Sequence, residues 1–137
     1  MIKADNLTKR FQGVTAVDHI HAEIQDGTVF GLIGTNGAGK STFLRMAAGI
    51  LKPDEGTITL DGEAVFEDIR VKARCFYIPD EPYFLGNGTP DDMKTFYQGI
   101  YPNFDTDRFG KLLKSFELDG RRKIQTFSKG MKKQLAV

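Results

Sequence analysis

The sequence predicts an α/β fold in which a β-rich portion gives way to a helical one near residue 88. Three observations carry that expectation. A short apolar run, Thr28–Ile33, leads straight into the glycine-rich stretch Gly34–Gly39 and then into Ser41–Leu51, whose apolar residues fall at helical spacing. The turn pairs Asp26-Gly27 and Asp61-Gly62 separate runs of strand length on either side of that unit. Beyond Gly86-Asn87-Gly88 the apolar residues recur three and four positions apart.

In order along the chain, Ile2–Leu7 and Ala16–Ile24 alternate loosely between apolar and polar residues and read as strands. Thr28–Ile33 reads as a short buried strand. Ser41–Leu51 follows as a helix with Phe43, Leu44, Ala47, Ala48, Ile50 and Leu51 on its apolar side. Pro53-Asp54-Glu55-Gly56 is a turn, and Thr57–Leu60, Asp61-Gly62 and Glu63–Phe66 form a hairpin. Cys75–Ile78 is a further strand candidate, ended by Pro79. Thr89-Pro90-Asp91-Asp92 carries the chemistry of a helix start: a capping threonine, proline at the first helical position, then acids. Met93, Phe96, Tyr97 and Ile100, and then Phe109, Leu112, Leu113 and Phe116, give two amphipathic helices. Two portions are therefore expected, 1–87 and 88–137.

Composition narrows the function. The 137 residues are 40% hydrophobic and carry a formal net charge of +1 from 19 basic and 18 acidic side chains. That balance offers no footprint for nucleic acid and no polybasic membrane patch. The apolar runs are too short to span a bilayer, and the N-terminus has the polar character of a cytoplasmic protein, not of a secretory signal. A single cysteine, Cys75, excludes an internal disulfide and a cysteine-rich metal site.

Gly34-Thr35-Asn36-Gly37-Ala38-Gly39-Lys40-Ser41 fits the pattern G-x-x-x-x-G-K-[ST]. A polyphosphate needs several donors aimed at one point. Glycine tolerates positive φ and has no side chain to hold an anion away from the backbone N–H groups. The helix that follows adds the partial positive charge of its N-terminus. Gly34, Asn36, Gly37, Ala38 and Gly39 are thus expected around the phosphates, with Lys40 on the β- and γ-phosphates. The Ser41 hydroxyl is the expected Mg²⁺ ligand, and Thr42 is placed to reach the α-phosphate. No N-K-x-D motif for guanine is present, which argues against a GTPase.

Around this loop the chain resembles the ATP-binding subunits of ATP-binding cassette (ABC) transporters. Leu7-Thr8-Lys9-Arg10-Phe11 is similar to the stretch in which an aromatic ring stacks on adenine. The resemblance implies Phe11 as that platform, a contact worth roughly 1–3 kcal/mol; the alternative is a ring buried between strands. Leu51–Ile58 resembles the link "hydrophobic-x-P-x-x-G-x-hydrophobic" that follows the phosphate-loop helix. Tyr77-Ile78-Pro79-Asp80-Glu81-Pro82 is similar to the Q-loop, with Asp80 where the family usually has glutamine. A carboxylate there suits Mg²⁺, whereas its short charged side chain leaves the positioning of water open. Thr126–Gln134 resembles the signature loop L-S-G-G-Q: Ser128 and Gly130 keep their places, Lys129 and Met131 depart from them. In the family this loop caps the γ-phosphate held by the opposite subunit, again by offering an anion a helix N-terminus.

The resemblance implies a phosphate-loop NTPase core with an antiparallel β subdomain and a helical subdomain, ATP and Mg²⁺ as ligands, and a cytoplasmic protein peripheral to the inner face of the cell membrane. It implies two partners, a second ATP-binding subunit and a transmembrane permease, the latter of the exporter type, and none of nucleic acid. It also implies that the chain is C-terminally incomplete. The Walker B acids and the switch histidine follow the signature helix in the family, and the sequence stops at Val137. Cys75–Glu81 imitates a Walker B run, but Pro79 interrupts it and it precedes the signature. The expectation is therefore a fragment that binds ATP, lacks the group that activates water, and leaves sheet edges open. A soluble ABC-type ATPase acting on nucleic acid or ribosomes is the alternative from another class. His19 and His21 read as exposed strand residues, Cys75 as a small buried hydrophobe, and Arg121–Lys123 with Lys129, Lys132 and Lys133 as a solvated basic face.

Overall fold

In the computed structural model, which describes residues 1–137, the chain opens with two long antiparallel strands. β1 (Ile2–Phe11) and β2 (Val14–Ile24) meet at a tip where Phe11 pairs with Val14. Gln12 and Gly13 close the turn, both at positive φ, the geometry that matches the twist of a two-residue hairpin. Asn6 and His19 also adopt positive φ, and the pairing register shifts between Ala4 and Arg10. In that irregular stretch Thr8 is fully buried, and its hydroxyl accepts the His19 N–H at 3.1 Å.

The other edge of β1 takes β3 (Glu55–Leu60), and β3 takes β4 (Glu63–Ala64), giving the order β2-β1-β3-β4, antiparallel throughout. Asp61-Gly62 makes the β3–β4 turn, as the sequence indicates. The link into β3 is tight. The Asp54 N–H donates to the Thr8 carbonyl at 2.9 Å, and Gly56 has φ +77°. A Cβ on Gly56 would lie 2.2 Å from the Asn6 carbonyl oxygen, so glycine is required there.

α1 (Lys40–Ala47) lays Phe43, Met46 and Ala47 on this sheet, against Ala4, Leu7, Val17 and Ile58. Burying a side chain the size of Phe43 or Met46 stabilises by about 1.5–3 kcal/mol. A one-turn helix, α2 (Ile69–Lys72), is not read from the sequence; the Asp68 carboxylate caps it by accepting the N–H groups of Arg70 and Val71. Two expected strands are absent. Thr28–Ile33 and Cys75–Ile78 belong to no ladder, and Val29 and Ile33 are fully exposed. An apolar run becomes a strand only when a neighbour takes its N–H and C=O groups, and no segment of these 137 residues does so.

The chain divides into two compact units, Met1–Tyr77 and Ile78–Val137; the division expected from the sequence lay after Asn87. In the second unit, α3 (Pro90–Ile100) begins as expected. The Thr89 hydroxyl accepts the Asp92 N–H, and the Asp92 carboxylate accepts the Thr89 N–H. α4 (Thr106–Ser115) is capped by Asp105, and α5 (Lys129–Ala136) by Ser128. The rings of Tyr97, Phe104 and Phe109 follow one another between α3 and α4, the first pair stacked and the second tilted, and burial pushes the Tyr97 phenol above its usual pKa. Backbone bonds from Asp91 to Gly120 and from Ile124 to Gly88 tie the segment after α4 to the start of α3.

Candidate functional site

The loop Gly34–Gly39 leads from the apolar run Thr28–Ile33 into α1, whose first residues are Lys40 and Ser41. Gly39 is the residue that makes the junction. Its φ is +80°, and a Cβ there would lie 2.0 Å from the carbonyl oxygen of Ala16 on β2. The loop is thereby seated against the sheet at a point only glycine occupies without displacement. Because Gly39 has no side chain, no side-chain cap covers the first-turn N–H groups of α1, and that turn contains no acid. The other four α-helices each carry a Ser, Thr or Asp side chain on their first N–H groups. Among the α-helices α1 alone has no side chain on its N-terminal donors, which is the condition an anion site requires.

Lys40 supplies the full charge. Its Nζ donates to the carbonyls of Gly34 at 2.8 Å and Thr35 at 2.6 Å, so the ammonium bridges the mouth of the loop. Those carbonyls are neutral acceptors that a phosphate oxygen, a charged one, outcompetes. Asn36, Gly37 and Ala38 are exposed along the loop, and the Ala38 N–H turns inward to the Thr35 carbonyl at 3.3 Å. Ser41 is exposed and Thr42 half-buried on the first turn of α1. No group of three His, Cys, Asp or Glu side chains stands ready to hold a metal. A Mg²⁺ shared between the Ser41 hydroxyl and phosphate oxygens fits this donor set, since Mg²⁺ binds few protein ligands and keeps phosphate and water oxygens.

Phe11 stands at the tip of the β1–β2 hairpin, 44% exposed, and is not packed away between strands. Lys9, two residues earlier on the same face of β1, places its Nζ 5.6 Å from the ring centroid. The same Nζ donates to Asp54 Oδ1 at 2.8 Å, and Asp54 Oδ2 accepts the Arg10 N–H at 2.6 Å. The Lys9 ammonium, followed by the Arg10 N–H, holds the Asp54 carboxyl below its ordinary pKa. Sequence reasoning did not single out Lys9 or Asp54; their signal was the strand period of two linking Lys9 to Phe11.

The residues of the signature resemblance lie in the second unit. Ser128 precedes α5 and its hydroxyl accepts the Met131 N–H at 3.2 Å, while Lys129 and Gly130 are exposed and Met131 is half-buried. Phe127 anchors the loop by burial, with the Arg122 guanidinium 5.6 Å from its ring. Arg122 also donates to the Thr126 hydroxyl at 2.9 Å and to the Thr126 carbonyl at 3.0 Å. Asp80 and Glu81 are exposed in the irregular segment before α3; they belong to the second unit, whereas Ser41 belongs to the first. His19 and His21 are exposed, beside Asp18 at 2.6 Å and Asp5 at 2.8 Å, and Cys75 is half-buried.

Comparison with known proteins identifies the family. The ABC transporter family model matches residues 17–137. The chain is 33% identical to the ABC transporter ATP-binding protein YtrB of Bacillus subtilis, over all of this chain and 47% of that protein. It is 31% identical to the bacitracin transport ATP-binding protein BcrA of Bacillus licheniformis, over all of this chain and 46% of that one. The chain thus spans about half the length of the curated relatives it matches. Among solved structures, an ATP-binding subunit of an ABC transporter shares the fold at a TM-score of 0.82 and 23% identity, over 98% of this chain and 59% of that one. CbiO1 of Clostridium perfringens, part of the complex cbiONQ, superposes at 0.71 with 25% identity, over 98% and 58%. With a phosphate loop of this geometry and a family match across nearly its whole length, the chain belongs to the ABC transporter ATP-binding family.

Proposed function

We propose that the chain holds Mg·ATP in the loop Gly34–Ser41, and that the protein uses the hydrolysis of that ATP to drive a membrane permease. One observation carries the reading: α1 is the α-helix whose N-terminal donors have no side-chain cap, and Lys40 at its start reaches back to the carbonyls of Gly34 and Thr35 in the loop. The loop N–H groups and the first turn of α1 receive the β-phosphate. Lys40 exchanges its two carbonyl partners for phosphate oxygens. The Ser41 hydroxyl would hold Mg²⁺, which would neutralise charge on the transferring group when bound. Phe11 receives the adenine ring. Ser128, Lys129, Gly130 and Met131 face the γ-phosphate of a second subunit.

Charge stabilisation is the part of phosphoryl transfer that residues 1–137 supply. We infer that the acid that orients the attacking water is not among them, and that these residues by themselves bind ATP without turning it over. The permease pairing and the place at the inner membrane face belong to this proposal; what supports it is that the relatives are named as ATP-binding proteins of transporters. No helix of the chain is long and apolar enough to cross a membrane.

The test is a titration with ATP and Mg²⁺ that follows binding and phosphate release together, with Lys40→Ala as control. Binding weakened about ten- to a hundredfold in the control, the loss of one charged hydrogen-bonding group, supports the site. Equal affinity in both proteins would move the nucleotide elsewhere. Phosphate release by residues 1–137 that depends on Lys40 would place the water-activating acid within them, with Asp80 and Glu81 the first to substitute.

A further inference from the structure

We propose that Lys9 and Asp54 are positioning residues for nucleotide base recognition: Asp54 clamps Lys9 against one face of the Phe11 ring and leaves the other face for adenine. The proposal rests on the reading of Phe11 as the base platform and deepens it.

The geometry is specific. Phe11 is the last residue of β1, at a hairpin tip, where nothing in the ladder beyond its pairing with Val14 fixes the ring. A half-exposed aromatic in such a place samples several orientations and loses that freedom when a base stacks on it. Lys9 is the side chain that limits it. Its side chain is only 15% exposed, low for a lysine on a sheet surface, and its Nζ sits 5.6 Å from the ring centroid. Lys9 is fixed in turn. Asp54 accepts the Lys9 ammonium with one carboxylate oxygen and the Arg10 backbone N–H with the other, while its own N–H donates to the Thr8 carbonyl. Arg10 continues the network to Glu55 at 2.5 Å. The turn Pro53–Gly56 is thereby bonded to the strand that carries Phe11, on three successive residues, Thr8, Lys9 and Arg10.

Two consequences follow. The ring offers a base one face, since a cation occupies the other. That cation also draws π-density to the rear of the ring, which strengthens stacking with an electron-rich purine on the front. Lys9 thus acts on the base through Phe11 and not on the phosphates, although it is a cation in a nucleotide-binding unit.

The discriminating quantity is the ratio of affinities for ATP and for inorganic tripolyphosphate, both with Mg²⁺. The phosphate loop is common to the two, and the base contact belongs to ATP alone. Phe11→Ala, Lys9→Met, Lys9→Arg and Asp54→Asn are measured by calorimetric titration of the full-length protein, with circular dichroism to confirm folding. Lys9→Met and Asp54→Asn are expected to lower the ratio by roughly two- to fivefold, the size of one cation–π contact. Tripolyphosphate affinity should stay unchanged, and Lys9→Arg should restore the ratio. Phe11→Ala should lower it further. If Phe11→Ala lowers the ratio and Lys9→Met does not, the clamp is overturned while the platform stands. If Lys9→Met weakens ATP and tripolyphosphate equally, Lys9 is a phosphate ligand and the proposal fails. If Phe11→Ala leaves the ratio unchanged, the platform reading itself fails and takes the clamp with it.

Discussion

The starts of α1 and α3 solve the same physical problem in opposite ways. Every helix begins with N–H groups that lack partners and with a partial positive charge. At α3 the chain answers from within: Thr89 and Asp92 cap each other's backbone, Pro90 removes one donor, and Asp91 and Asp92 place negative charge in the first turn. At α1 it does the reverse. Gly39 offers no cap, the first turn has no acid, and Lys40 adds a further positive charge. The local cost of that choice is offset by packing, because Phe43, Met46 and Ala47 bury α1 on the sheet. The comparison teaches how to tell a structural helix start from a binding one: the first is neutralised by its own sequence, and the second is held open by tertiary contacts.

The largest break in this comparison is Gly39→Ala. At φ +80° an L-residue is strained, and its Cβ would collide with the Ala16 carbonyl oxygen. We expect a loss of about 2–4 kcal/mol in stability from strain and overlap, read by urea unfolding, and loss of ATP binding with it. A variant of full stability and affinity would mean that the loop is not seated on β2 as described. Thr89→Ala comes next. It removes the cap of α3 and should cost about 1 kcal/mol, with ATP affinity unchanged. A drop in ATP affinity would show that the two helix starts do not have separate roles.

Ser128→Ala is expected to cost less stability, about 0.5–1 kcal/mol, since this cap is a single bond to Met131. Its larger effect belongs to turnover by the full-length protein, measured as phosphate release at saturating ATP. Unchanged turnover would remove Ser128 from the γ-phosphate. The smallest effect is that of pH. The N–H and hydroxyl of Thr89 hold the Asp92 carboxyl below its ordinary value of 3.8. Asp54, bound first by Lys9, and Asp68, bound first by Arg70, are lowered likewise. A lowered folded-state pKa gives stability that is present above the unfolded value and is lost as pH falls through the folded one. Stability should therefore decline below about pH 4, and Asp92→Asn should shrink the part due to α3. An acid limb identical in Asp92→Asn would assign that decline to other groups.

What the sequence made legible was what is decided locally. The phosphate loop, the Thr89 and Ser128 helix starts, and the Asp61-Gly62 turn depend on residues within a few positions of one another, and the structure has each of these elements. The two expected strands that are absent show the limit. Thr28–Ile33 and Cys75–Ile78 have strand composition, but a ladder is a property of two segments, and composition cannot supply the second. α2 escaped notice because four residues carry no periodicity; Asp68 was its one signal. Lys9 and Asp54 were hidden for a related reason: their pairing joins residues far apart in the chain, and a lysine two residues before a phenylalanine says nothing about which carboxylate will hold it.

The claim that α1 is held open for phosphate while α3 is closed has a direct measurement. Backbone amide chemical shifts can be followed as Mg·ATP is added to the isotope-labelled protein. The account predicts large shifts at Gly37–Thr42 that saturate with ATP, and near-silence at Thr89–Met93. Shifts of equal size at the two helix starts, or none at Gly37–Thr42, would contradict it.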